Sequence, residues 1–228
     1  MAKVSLADDM KEQPAENAAE MENAGPYVTI SREYGCWGFS LGLLLLELLN
    51  DMSEPGKPGW NVYHKEILDQ LAGETEHDKE VLDRQRREKP RLLADLFRSL
   101  SKERVPSGYE VRNRMTEIIR SLAMKGHAIL IGQGSAGATQ DIPHGLSVRL
   151  EAPEDWRVKQ IAFRDGLSET EARLQIRQRE QEDEYLRKIY KTRYPRKPAF
   201  NLVYDCSAFG LTQIAQHVVQ AMRLLKIV

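Results

Sequence analysis

Hydrophobic and polar residues run along this chain in blocks that switch between two periods. Short apolar runs rich in β-branched and aromatic residues occur at Tyr27–Ser31, Trp60–Tyr63, His127–Ile131 (HAILI), Ser147–Leu150 (SVRL) and Leu202–Asp205 (LVYD). Each is too short for a helix and predicts a strand. Between them lie segments with helical spacing: Ser40–Asn50, Lys65–Ala72, the long charged stretch Asp78–Lys102, and the amphipathic Glu110–Met124, which Gly126 closes near its C-cap. Ser168 opens a further helix with a capping-box-like S-E-T-E and leads a charged helix to Tyr190; Leu211–Leu225 is the closing helix. Loops are predicted at Ser53–Gly59, which carries two Pro and two Gly, and at Val105–Gly108. Strands spaced by helices imply a mainly parallel sheet covered on both faces. No internal repeat is present.

Composition narrows the class. The chain has 228 residues, 41% of them hydrophobic and 29% charged, which suits one globular domain with a sizeable core. Residues 1–25 are rich in Ala, Glu, Asp and Met, end at Gly25-Pro26, and read as a disordered acidic tail before a domain over 26–228. A net charge of −1 carries no footprint for nucleic acid or a membrane surface, so neither is expected as a partner. The apolar run around Leu43–Leu46 is interrupted by Glu47 and too short to span a bilayer, and the N-terminus lacks a signal-peptide pattern. Cys36 and Cys206 lie far apart in the chain and match no zinc spacing, so reduced thiols in a cytoplasmic protein are expected.

The segment with most chemical content is YVTISREYGCWGFSLGLLLLELL at Tyr27–Leu49, a strand that passes through a glycine turn into a helix. Backbone N–H groups of such a turn, with the helix dipole behind them, favour an anion such as phosphate. Gly35 and Gly38 let the backbone approach it. The pattern G-x-x-x-x-G-K-[ST] is not met, because no Lys follows the glycines. Ser40 is placed either to cap the helix or to offer a hydroxyl to Mg²⁺.

Five motifs in register, SREYG (Ser31–Gly35), YHKEIL (Tyr63–Leu68), KGHAILIGQGSA (Lys125–Ala136), LEAP (Leu150–Pro153) and D-C-S-x-x-G-L (Asp205–Leu211), make the chain similar to the cytidylate-kinase-like family, a divergent branch of the P-loop nucleoside monophosphate kinases. The resemblance covers residues 27 to about 225. It implies a three-layer P-loop NTPase-like α/β fold with a central, mainly parallel sheet and a helical lid, here about 168–198. It also implies transfer of the ATP γ-phosphoryl to CMP or a related monophosphate, with Mg²⁺. The phosphate turn would then be Gly35, Cys36, Trp37, Gly38, Phe39 and Ser40, with Ser40 as metal ligand.

Against that pattern the chain departs at three places. Relatives carry S-G-G-R-E after the first Gly, so Phe39 stands where a cation is usual and Trp37 is bulky where Gly leaves room. Arg32, just before the turn, is the nearest replacement cation, or a surface charge at a strand end. Relatives have Arg where this chain has Gln133 between Gly132 and Gly134, and Asp where it has His64. Both remain candidates for substrate contact, as do structural roles for each.

The basic residues Arg173, Arg177, Arg179, Arg187, Lys188, Lys191, Arg193, Arg196 and Lys197 would form the lid, with Arg187 framed by Tyr185 and Tyr190 as in relatives. A solvated helix face with pairs such as Asp183–Arg187 accounts for the same charges. Arg84, Arg86, Arg87 and Arg91 offer further phosphate contacts or solvated charges. Trp60, Tyr63 and Trp156 are base-stacking or core residues, and Asp205 a water-orienting or turn-capping one. Two functions follow: a working nucleotide kinase, whose partners are small nucleotides, or a degraded kinase that binds a nucleotide or a protein.

Overall fold

Side chains on the strands alternate between two apolar layers, and this alternation builds the domain. The chain was analysed as a computed structural model, which describes residues 24–53, 56, 58–67, 108–193 and 200–228, the side chains of 108–112 and 182–193 apart. Its strands are β1 (Tyr27–Arg32), β2 (Asn61–Tyr63), β3 (Ala128–Ile131), β4 (Gly145–Glu151) and β5 (Leu202–Asp205). They pair in the order β2-β3-β1-β4-β5, and every pairing among the described residues is parallel. The helices are α1 (Gly38–Asp51), α2 (Gly108–Lys125), α3 (Ser135–Ala138), α4 (Glu154–Asp165), α5 (Glu169–Arg193) and α6 (Leu211–Leu224).

On one face Val28 and Ile30 of β1 join Ile129 and Ile131 of β3 and Leu146, Val148 and Leu150 of β4. Leu41, Leu45 and Leu49 of α1 and Ile214, Val218 and Met222 of α6 cover them. On the other face Tyr27, Ala128 and Leu130 pack against Met115, Ile118, Ile119 and Leu122 of α2. Each fully buried aliphatic side chain stabilises by about 2 kcal/mol, so the two clusters fix the three-layer α/β fold. β1 sits at the centre with neighbours on both sides, and the crevice at its C-terminal end is where open α/β sheets bind ligands.

Most elements match the sequence pattern to within two residues. Helix α4 was not predicted. Glu154 and Asp155 open it, favourably placed for its dipole, and Gly166 closes it at φ +66°. The capping box at α5 is present: Ser168 Oγ accepts from the Glu171 N–H at 3.3 Å, and the Glu171 carboxylate accepts from the Ser168 N–H at 2.9 Å. Ala24 and Gly25, read as tail, pack into the domain; Ala24 is buried and the Gly25 N–H donates to the Met124 carbonyl. The helices predicted for Lys65–Ala72 beyond residue 67 and for Asp78–Lys102 lie outside the described residues.

Two features of this scaffold make measurable predictions. Gly126 ends α2 at φ +76°, and a methyl group there would collide with Cα of Gly25. Gly126→Ala is expected to lose at least about 1–2 kcal/mol in urea unfolding, the cost of the left-handed conformation, with the collision added.

Arg120 holds the segment after α3 by donating to the Ala138 carbonyl at 2.7 Å and forking onto Asp141 at 2.6 and 2.9 Å. That hydrogen bond holds the Asp141 carboxyl below its ordinary value. The stability it supplies is therefore present above an unfolded carboxyl value of about 3.9 and is lost as pH falls through the lower folded value. Because both groups are partly exposed, Asp141→Asn is expected to cost under about 1 kcal/mol at neutral pH. The deficit should shrink towards zero in urea titrations carried to the acid end.

Candidate phosphate-binding site

The ladder of β1 runs on through Glu33, whose N–H donates to the Leu150 carbonyl at 3.0 Å, and then the chain turns. The Cys36 N–H closes back onto the Glu33 carbonyl at 3.1 Å, Gly35 takes φ +98°, and α1 begins at Gly38. Trp37 occupies the N-cap position without a side-chain cap bond, and no acidic residue stands in the first turn. The positive end of α1 is thus left open for an anion. Ser40 is the third residue of the helix, so it does not cap it; the capping alternative is set aside, and its hydroxyl lies in the first turn.

One buried cation shapes this turn from behind. Arg157 of α4 is 6% exposed and donates to the Ala152 carbonyl at 3.0 Å and to the Tyr34 carbonyl in the turn at 3.2 Å. It also pairs with Glu180 of α5 at 2.8 Å and with Glu33 at 3.4 Å. Glu33 in turn accepts from the Ala152 N–H at 3.1 Å. The close fit leaves no room for a side chain at residue 35, since a Cβ on Gly35 would sit 2.9 Å from Cβ of Arg157. Arg164 lies on the same side, 5.5 Å from the Trp37 ring and 5.6 Å from the Tyr34 ring. The Asp165 carboxylate and then the Tyr34 hydroxyl hold its guanidinium firmly charged. Trp37, suspected of crowding the phosphate, is therefore engaged with α4.

Arg32 lies on the opposite side. Its side chain runs past Gly38, whose Cβ would come 3.2 Å from Cδ, and its guanidinium rests against Gly132, where a methyl group would collide with Nη1. It is half-buried and has no hydrogen-bond or ion-pair partner among the described residues. Gly132, Gln133 and Gly134 hold three consecutive positive φ angles of 68°, 52° and 74°, so the GQG turn curls around that guanidinium. Gln133 adopts a conformation uncommon for a residue with a side chain, as found at ligand sites. Thus Arg32, Gly38 and Gly132 meet at the C-terminal ends of β1 and β3, and Gln133 belongs to the turn beside them.

His64 is brought to Phe39, ring centroids 4.9 Å apart and edge-on, and its Nδ1 lies 3.2 Å from the Glu66 carboxylate. Arg173, read as a lid cation, is tied to Glu154 at 2.7 Å and Asp155 at 2.8 Å, and so staples α5 to α4. Arg179 stands 6.0 Å from the Tyr34 ring. Residue 187 falls within α5, but its side chain lies outside the described ones, as do Asp183, Lys188, Lys191 and Arg193; residues 84–91, Arg196 and Lys197 lie outside altogether. Trp60 is buried and Trp156 packs against the core, in line with their core reading. Asp205 accepts from the N–H and hydroxyl of Ser207 at 2.8 and 2.6 Å, so it caps its turn, and these bonds lower its carboxyl.

An anionic polyphosphate fits a half-buried guanidinium beside an uncapped helix end. Among the described residues no group of three His, Cys, Asp or Glu gathers for a metal. The Ser40 hydroxyl is a hard oxygen donor, which suits Mg²⁺ because that ion takes few protein ligands and fills its shell with water and phosphate oxygens.

The model of the cytidylate kinase-like family matches residues 27–208. The chain belongs to this family. The cytidylate kinase-like family is one of nucleotide-kinase-like proteins. No curated protein matches the chain. Among solved structures, an uncharacterized protein from Eubacterium ventriosum aligns over 87% of this chain and 98% of its own, with TM-score 0.58 and 16% identity. At that identity the likeness speaks for the fold alone. Among the described residues no helix is long and apolar enough to cross a membrane.

For this cytidylate kinase-like chain, sequence reasoning missed Glu33, Arg157 and Glu180. Glu33 was inside the SREYG motif, but nothing in the pattern announced its partner on an unpredicted helix. Removing the buried cation leaves the Tyr34 carbonyl and two carboxylates without it. Arg157→Gln is expected to cost about 3 kcal/mol in urea unfolding, whereas Arg177→Gln, an exposed neighbour on α5, should change stability by less than about 0.5 kcal/mol.

Proposed function

We propose that the turn at Gly35–Ser40, with Arg32, binds the phosphates of ATP, and that the protein transfers the γ-phosphoryl group to CMP or a related nucleoside monophosphate. The observation that carries this reading is the Arg32 guanidinium, half-buried between Gly38 and Gly132 and lacking an ionic partner among the described residues. A desolvated cation with open donors is costly unless an anion meets it. Membership of the cytidylate kinase-like family supports reading that anion as a nucleotide's phosphate chain. An oxygen of the acceptor phosphate would attack the γ-phosphorus while the bond to the β–γ bridging oxygen breaks and ADP leaves. Positioning and charge stabilisation suffice for such a transfer.

In this reading Arg32 and the amides at the head of α1 orient the triphosphate. Ser40 would hold Mg²⁺, which supplies charge neutralisation on the phosphate oxygens when bound. Gln133 and His64 flank the acceptor side, and Arg187 would close from α5. A second reading, a binding module without turnover, is favoured by Phe39. It is 47% exposed and packed on His64 at the position where relatives carry a cation.

Calorimetric titration with ATP, with and without Mg²⁺, and then with CMP tests both. The expected result is ATP binding in the micromolar range that Arg32→Gln weakens by about tenfold to a hundredfold, the worth of a charge-assisted bond, with the thermal midpoint unchanged. No heat from either nucleotide near millimolar concentration would sink the phosphate site. ATP binding without phosphoryl transfer to any nucleoside monophosphate in a coupled assay would leave the module reading standing and the kinase reading refuted.

A further inference from the structure

Helices α1 and α6 each follow a strand of the parallel sheet and cover the same face of it, so they run side by side in one direction. Between their C-terminal halves they leave an open groove of about 670 Å³. Its apolar lining is Leu48 and Met52 from α1 and its cap, and Val219 and Leu224 from α6. Met52 is 38% exposed and Leu224 77%. One charge stands on each wall, Asp51 at the end of α1 and Arg223 in the last turn of α6. Both are exposed, and neither meets an opposite charge among the described residues. The Arg223 guanidinium donates only to the Met52 sulfur, at 3.1 Å, a weak acceptor. Asp51 puts its carboxylate at the negative end of the α1 dipole, and no basic residue in that last turn offsets it.

We infer that this groove is the contact between two copies of the chain, with Arg223 of each copy paired to Asp51 of the other. The pattern of the two walls is self-complementary. A two-fold axis lying along the groove turns the α6 wall of one copy onto the α1 wall of the other. Arg223 stands level with Asp51, because it touches the next residue, Met52. The same rotation therefore sets each Arg223 opposite the partner's Asp51 and makes two ion pairs. It also lays the exposed Leu224 of each copy beside Met52 of the other, which removes apolar surface from water. Each carboxylate that opposes its own helix dipole then gains a cation. A net charge of −1 per chain leaves little repulsion between the copies.

The inference does not rest on nucleotide binding, since the groove lies about 20 Å along α1 from the phosphate turn. The full-length protein, free of nucleotide, is followed by sedimentation velocity across the micromolar range. The expected result is a monomer–dimer equilibrium. Asp51→Arg and Arg223→Asp, each alone, break both pairs and set like charges face to face, and each should weaken the dimer by about a hundredfold. Combined, they exchange the two charges and should restore the dimer to within about threefold of the unsubstituted chain. Amide hydrogen exchange of the unsubstituted protein, compared at low and high concentration, should slow at residues 48–52 and 216–224 on association. That readout holds even where a variant folds poorly. A chain that stays monomeric throughout the range overturns the inference. So does a dimer that neither single change weakens, one that the double change does not restore, or one whose protection falls on other segments.

Discussion

The guanidinium of Arg157, enclosed between α4 and the turn after β1, is the contact on which the rest of the site depends. It takes the Tyr34 and Ala152 carbonyls and two carboxylates at once. A planar fork with several donors can meet those acceptors together, which a point charge cannot. With its back held, the turn presents its other side, where α1 begins uncapped and Arg32 reaches across to the GQG turn. The same cation joins α5 to the turn through Glu180, so that helix and the turn after β1 share one anchor.

The departures from the family pattern make spatial sense together. Phe39 and His64, two of the positions read as departures from the family pattern, touch each other. They form an edge-on ring pair, which needs no charge. The Arg32 guanidinium, part of the SREYG motif, lies beside Gly38 at the head of α1 and against Gly132.

Much of the fold was legible because it rests on local patterns. The short apolar runs at Tyr27–Ser31 and His127–Ile131 mark buried strands, and the S-E-T-E at Ser168 marks a helix start to within a residue. Helix α4 was missed because its fully buried apolar stripe, Val158 and Ile161, is narrow and most of its other residues are charged or exposed, as with Phe163 at 91% exposure. The signals that were there, Pro153 with two acids behind it and Gly166 at the end, were capping signals rather than periodicity. The site was legible only as a glycine turn. Which side chains serve it depends on contacts distant in sequence, Glu33 with Ala152 and Tyr34 with Arg157, and one-dimensional spacing does not encode those.

Residues 32 and 132 cannot be chosen independently. Arg32 lies along the space that any side chain at 132 would claim, and Gly132 is the residue best suited to its left-handed backbone. A lineage that placed alanine or serine at 132 would have to shorten or redirect residue 32 in the same step, or pass through a strained intermediate. The pair should therefore be inherited as a unit: arginine at 32 should accompany glycine at 132 wherever this arrangement persists.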